Sequence, residues 1–317
     1  MPRTSLVVVA IALWALSGEA QQPQPFTASS DLIVVPAVVV DKKGALIPGL
    51  TQSDFQIFED GKPVPIETFV TAAPVAAGTE AGRFIVIVLD NLTTPPEIAY
   101  RVKDIARKFV DRMGPADVAT VIMLNGGNSA STNLPGSVRA AIDRFRPAIG
   151  DMPMDEFPGR AAEHGLTMVS SLARQMNKSA HPRKVMVFIG KPAIFSPSEP
   201  SAFGNLETGD PTKPDMNNAW FQAIRDTGRN NVTVFAIDPT GQTGNFTDWD
   251  KSFAAETGGN AWSNTNNFNG AVDRIWQESG HYYLLGYAPP INDHRVHKIE
   301  VRVNAPGATV RARRARG

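Results

Sequence analysis

Continuous apolar runs separated by amphipathic stretches constrain this chain most. Phe84-Ile85-Val86-Ile87-Val88-Leu89, Asp117–Leu124, Lys184–Gly190 and Asn231–Asp238 are each rich in β-branched residues, and none alternates with polar ones. A strand of that kind is buried on both faces, as in a parallel sheet. Parallel strands need crossover connections, and helical spacing lies between the runs. From Glu97 to Met113, Ile98, Val102, Ile105, Phe109 and Val110 form one stripe. Further helices are expected over Ser137–Phe145, Gly165–Met176, Met216–Thr227, Phe246–Thr257 and Asn269–Ser279. The expected fold class is α/β, doubly wound around a mostly parallel sheet.

The flanks have a different texture. Asp31–Val40, Asp54–Phe58 and Pro65–Val70 read as strands, with Glu59-Asp60-Gly61-Lys62 as a hairpin turn. Strand character returns at His281–Tyr287, Val296–Val303 and Thr309–Arg311. A few short strands bury too little by themselves. The two sets are therefore expected to combine into a small β-sandwich-like part beside the α/β domain. Tyr282, Tyr283 and Tyr287 would pack on alternating faces of its sheet.

The first residues carry export signals. Arg3 precedes the apolar core Leu6–Leu13, and small residues Gly18 and Ala20 stand before polar Gln21-Gln22-Pro23. The stretch is short for a permanent span. It is expected to be a cleaved signal peptide, which places the protein in the periplasm or outside the cell; an uncleaved N-terminal anchor is the alternative. No later segment reads as a transmembrane domain. The expected organisation is a signal peptide at 1–20, a leader at 21–30 and the N-terminal β part at 31–70. A linker at 71–82 and the α/β domain at 83–280 follow. C-terminal strands at 281–312 pack with the N-terminal β part, and a basic tail occupies 313–317. The proline-, serine- and glycine-rich segment Pro192–Asp215 reads as a surface loop.

Charge and composition narrow the function. Lysine plus arginine and aspartate plus glutamate both number 31, so no overall basic field recruits nucleic acid. There is no cysteine, which removes disulfides, thiol nucleophiles and thiolate metal sites. No Gly-x-Ser-x-Gly elbow, phosphate-binding loop or His-Glu-x-x-His helix is present. The chain reads as a non-enzyme. A carboxylate hydrolase built on Asp90 and Asp238 has no visible partner residue. His294 and His297, three apart on a strand, face opposite ways and suit a turn or the surface better than one ion. In sheets of this class ligands bind beyond the carboxyl ends of the strands. That places Asp90, Asn125, Gly190 and Asp238 at the functional edge.

The order of elements and the strand-end residues resemble the von Willebrand factor type A fold. The chain is more closely similar to exported bacterial VWFA-related proteins common in Acidobacteria. The flanking segments Leu50–Pro63 and Tyr283–Pro290 carry that likeness, with Thr257-Gly258-Gly259-Asn260 and the closing strands. The resemblance implies adhesion or protein interaction, through a site where Asp-x-Ser-x-Ser holds Mg²⁺ or Mn²⁺. The matching residues are Asp90-Asn91-Leu92-Thr93-Thr94. Asp90 and Thr94 fit, whereas leucine at Leu92 cannot coordinate. Phe157–Arg160 offers no threonine where the family supplies one. Gly190 and Lys191 stand where a further aspartate is usual. The metal site implied by the family is therefore expected to be degraded at Leu92 and Gly190. A protein or cell-surface ligand would bind around Asp90, Thr93, Thr94, Asn125 and Asp238. Two alternatives are a weak Mg²⁺ or Mn²⁺ site rebuilt with Thr93, Asn125 or Asp238, and a structural role in the envelope. Locally, Asp90 is expected to cap the following turn, and Thr94 to cap the helix that begins with Pro95-Pro96-Glu97.

Overall fold

A run of β-branched residues, Ile33–Val40, makes the first strand, β1, in a computed structural model that describes residues 32–72, 82–148, 157–190, 216–243, 249–291, 293 and 295–316. The described residues all belong to one compact unit, Asp31–Gly317. The signal peptide, the leader, most of the linker, Lys191, the loop at 192–215 and His294 lie outside them. After β1 come β2 (Phe55–Glu59), β3 (Lys62–Val64) and β4 (Thr68–Ala72). The α/β part then runs β5 (Arg83–Leu89), α1 (Ala99–Val110), β6 (Val118–Met123), α2 (Pro135–Asp143), α3 (Phe157–Met176) and β7 (Arg183–Ile189). It continues through α4 (Met216–Arg229), β8 (Val232–Ile237), α5 (Trp249–Glu256), β9 (Ala261–Trp262) and α6 (Phe268–Gly280). The chain closes with β10 (Tyr282–Tyr287), β11 (His297–Val303), β12 (Thr309–Ala312) and β13 (Ala315–Arg316).

The central sheet is parallel, in the order β6-β5-β7-β8-β9. Both of its faces are covered, which accounts for the unbroken apolar runs. Val86, Val88, Met186 and Phe188 pack against Leu166, Val169 and Leu172 of α3 and Trp220 and Ile224 of α4. Ile85, Ile87, Val185 and Val187 pack against Val102, Ile105 and Phe109 of α1 and Val272 and Ile275 of α6. Alternate residues of one strand thus enter two different cores. Among the described residues, no helix is long and apolar enough to cross a membrane.

The N- and C-terminal strands combine into two antiparallel sheets, β12-β1-β10-β4 and β13-β11-β2-β3. Their inner faces share a core of Val35, Ala37, Phe55, Ile57, Tyr283, Leu285, Tyr287 and Ile299. Tyr282 and Leu284 point the other way, with Val38 and Val40. Tyr282 lies under the guanidinium of Arg183, 4.3 Å from its ring centroid. Arg83, at the start of β5, lies 4.4 Å over Trp276 and pairs with Asp117 at 3.3 Å. The sandwich-like part therefore meets the amino ends of β5 and β7, away from the edge that carries Asp90.

Three local expectations are corrected. Of the strand expected over Pro65–Val70, only Thr68–Val70 is extended sheet, in β4, which pairs with β10; β3 ends before it, at Val64, and pairs with β2. The chain changes sheets at Pro65-Ile66-Glu67. The described part of the expected basic tail, 313–316, is packed onto the protein, with Arg314 alone of these residues exposed. Arg313 and Arg316 are both buried, and β13 pairs with β11. Arg313 donates to the carbonyl of Gly228 in the last turn of α4 at 2.6 Å, and Arg316 Nη2 donates to Glu59 at 2.5 Å. These partners compensate part of the desolvation that guanidinium groups would otherwise suffer. His297 is not a surface or turn residue. It is buried between Asp60 and Asp293, because the cross-strand turn and the preceding loop each bring a carboxylate to one ring nitrogen.

Candidate functional site

The hydrogen-bond ladder of the parallel sheet extends one residue past its strands. Asp90 N–H donates to Ile189 O at 3.0 Å, and Gly190 N–H donates to Ile237 O at 3.2 Å. Leu124 N–H donates to Leu89 O at 3.2 Å, and Asp238 N–H donates to Trp262 O at 2.9 Å. Asp90, Gly190 and Asp238 therefore follow one another along the carboxyl edge, with Asn125 on the far side of Asp90.

Asp90 is fully buried. Its Oδ1 accepts from the backbone N–H groups of Leu92 at 3.0 Å and Thr93 at 2.9 Å. The hydroxyl of Thr93 donates to Oδ2. The carboxylate closes its own turn, as a short acidic side chain does where a strand stops. Leu92 turns inward and joins the core beside α3. Thr94 is fully buried, and its hydroxyl has no hydrogen-bond partner. It caps no helix: the turn Pro96–Ile98 follows Pro95, with no side-chain cap.

Asn91 was not singled out by sequence, yet it organises the next loop. It is buried; its Oδ1 accepts from Asn125 N–H at 2.7 Å, and its amide donates to Asn125 O at 3.3 Å. Asn125 itself is exposed, and Gly126 and Gly127 turn the chain at φ +71 and +92. The Nε2 of His164, from α3, bonds with Leu124 O at 2.8 Å. At the other end of the edge, Asp238 Oδ1 accepts from the N–H of Thr240 at 2.8 Å and from its hydroxyl at 2.6 Å. Arg101, from α1, donates to the carbonyls of Pro239 and Thr240 at 3.4 and 3.1 Å, and to Tyr100 OH at 3.0 Å. Tyr100 is 63% exposed, a large aromatic at the rim of the edge. Its place off the apolar stripe of α1 was the available sequence signal.

Gly190 touches Asp90 directly. A Cβ on Gly190 would lie 2.1 Å from Asp90 Cβ and 2.9 Å from its Oδ2. No carboxylate can stand there with Asp90 in this position. An octahedral Mg²⁺ shell requires several oxygen donors converging at about 2.0–2.1 Å. Among the described residues, the strand-end groups point elsewhere. Asp90 is turned into its own loop, Leu92 has no donor, Gly190 has no space for one, and Asp238 is turned towards Thr240.

No protein-family model matches the sequence, and no curated protein matches it. Among solved structures the chain is similar to a von Willebrand factor type A protein from Catenulispora acidiphila, at 10% identity and TM-score 0.40, over 80% of this chain and 73% of that one. It is similar to the pilus adhesin SpaC from Lactobacillus rhamnosus GG in its open conformation, at 11% identity and TM-score 0.41, over 82% of this chain and 47% of that one. A third likeness is to the manganese-loaded TRAP protein of Plasmodium vivax, at 8% identity and TM-score 0.37, over 82% of this chain and 97% of that one.

Proposed function

We propose that this chain is an exported protein-interaction module. It would bind a protein or cell-surface ligand at the carboxyl edge of its parallel sheet, without a divalent ion. The observation that carries this reading is the contact between Gly190 and Asp90, which leaves an organised edge with no room for the acid that a metal site of this class would use. The opposite end of the sheet supports the same choice, since Arg83 and Arg183 are buried there. Tyr100 supplies an exposed aromatic anchor, Arg101 fixes the loop beside it, and Asn125 stands exposed on a braced turn. Aromatic and arginine side chains dominate the energetics of many protein interfaces.

Site-specific photo-crosslinking at Tyr100 and Asn125 tests this, with Gln56 of the exposed sandwich surface as control and native envelope and surface fractions as bait. Crosslinks at the first two positions, undiminished by a chelator, are expected. Crosslinks that require Mg²⁺ or Mn²⁺ favour the rebuilt metal site. Crosslinks confined to Gln56 reject the edge. Export is tested separately, by sequencing the N-terminus of the protein from those fractions; a start at Gln21 is expected.

A further inference from the structure

The sandwich-like part holds a second polar cluster, which the reading above does not use. Glu59 ends β2, Asp60 follows it in the turn, and His297 opens the neighbouring strand β11. His297 Nδ1 lies 2.7 Å from Asp60 Oδ2 and 3.8 Å from Glu59 Oε1. These three donor atoms all fall within 4.8 Å of one another. The other ring nitrogen, Nε2, lies 2.8 Å from Asp293 Oδ1. The carboxylate oxygens are also held. Lys298 N–H donates to Asp60 Oδ1 at 2.9 Å, Arg316 Nε and Tyr287 OH donate to Glu59 Oε2 at 2.9 and 2.6 Å, and Arg316 Nη2 donates to Glu59 Oε1 at 2.5 Å.

We propose that Glu59, Asp60 and His297 form a binding site for a zinc-like divalent cation, with Asp293 orienting the imidazole. One imidazole nitrogen and two carboxylate oxygens make a borderline donor set, which suits Zn²⁺ better than Mg²⁺ or Ca²⁺. Zinc bonds of about 2.0–2.2 Å put tetrahedral ligand atoms roughly 3.3–3.6 Å apart. The separations from Nδ1, 2.7 and 3.8 Å, lie on either side of that range, so small side-chain shifts complete the geometry. An outer carboxylate on the second ring nitrogen is the usual companion of a metal-bound histidine. Charge favours a cation as well. Among the described residues, Glu59, Asp60 and Asp293 face one buried guanidinium, Arg316, while Arg295 is exposed at 3.8 Å from Asp293. Arg316 opposes the ion but is engaged by Glu59, which makes Glu59 the weakest of the three ligands. Asp60 is half exposed and gives the ion a path from solvent, where water would complete the shell.

The test is calorimetric titration of the metal-stripped full chain with Zn²⁺, followed by Co²⁺ as a spectroscopic probe. One saturable equivalent is expected, with the visible absorption of tetrahedral Co²⁺. Asp60→Asn and His297→Gln should each abolish it, Asp293→Asn should weaken it about 10–100-fold, and Asp90→Ala should leave it intact. Asparagine tolerates the positive φ of Asp60, +48, so Asp60→Asn keeps the test valid if His297→Gln fails to fold. No saturable binding, or one equivalent retained in the Asp60 variant, overturns the proposal.

Discussion

Gly190 and Asp90 stand on neighbouring parallel strands with no space between them for a β-carbon: an added Cβ would lie 2.1 Å from that of Asp90. The atom it meets belongs to a buried residue fixed by its own turn, so it cannot swing aside. Gly190→Ala is expected to destabilise the protein by about 1–3 kcal/mol, the usual cost of overpacking. Denaturant unfolding of the variant measures it. Unchanged stability would mean that the strand ends yield easily.

Asp90 is expected to act in folding as a turn cap. Asp90→Ala removes the acceptor for the N–H groups of Leu92 and Thr93 and should cost about 0.5–2 kcal/mol. The loss should be the same in chelator and in millimolar Mg²⁺. A loss that appears in Mg²⁺ alone would assign Asp90 to an ion.

The buried pair Glu59–Arg316 has both side chains at most 5% exposed. Arg316→Ala leaves a carboxylate buried without its countercharge, and about 3–5 kcal/mol should be lost. Replacing both, as Glu59→Gln with Arg316→Met, should recover most of that. Equilibrium unfolding of the single and double variants gives the comparison.

Asp226 supplies a pH dependence with a defined sign. Burial pushes its carboxyl up, but hydrogen bonds from Gln222, Ser170 and Arg174 outweigh this and hold it below its ordinary value of 3.8. A carboxyl depressed in the folded state contributes stability above its unfolded pKa, and that contribution is lost as pH falls through the folded value. Wild type should therefore exceed Asp226→Asn in stability at neutral pH, and the gap should close below about pH 3.8. Urea unfolding of both across that interval measures the gap; a gap independent of pH would contradict the assignment.

The parallel sheet was legible in the sequence because strands buried on both faces tolerate few polar residues, as Phe84–Leu89 and Val232–Ile237 illustrate. The joining of the terminal strands was legible from their need for a partner. The break at Pro65-Ile66-Glu67, where the chain passes from one sheet to the other, was not, since alternation fixes a face and not a neighbour. At the carboxyl edge, Asp90 was legible as an acid at a strand end, and Leu92 as a residue that cannot ligate. The role of Asn91 and the missing space at Gly190 depend on atoms from adjacent strands, and no local pattern records them. The same holds for His297. Its carboxylate partner Asp60 is distant in sequence and meets it because β2 and β11 pair.

Thermal unfolding in chelator and then in graded Mg²⁺, on wild type, Asp90→Ala and His297→Gln, tests the metal-independent edge most directly. Free Mg²⁺ at 100 times its dissociation constant would add about 2.7 kcal/mol, a rise of roughly 4–5 °C for a chain of this size. No saturable rise up to millimolar Mg²⁺ is predicted. A saturable rise that disappears in Asp90→Ala and persists in His297→Gln would contradict the account and establish a divalent-ion site at the carboxyl edge.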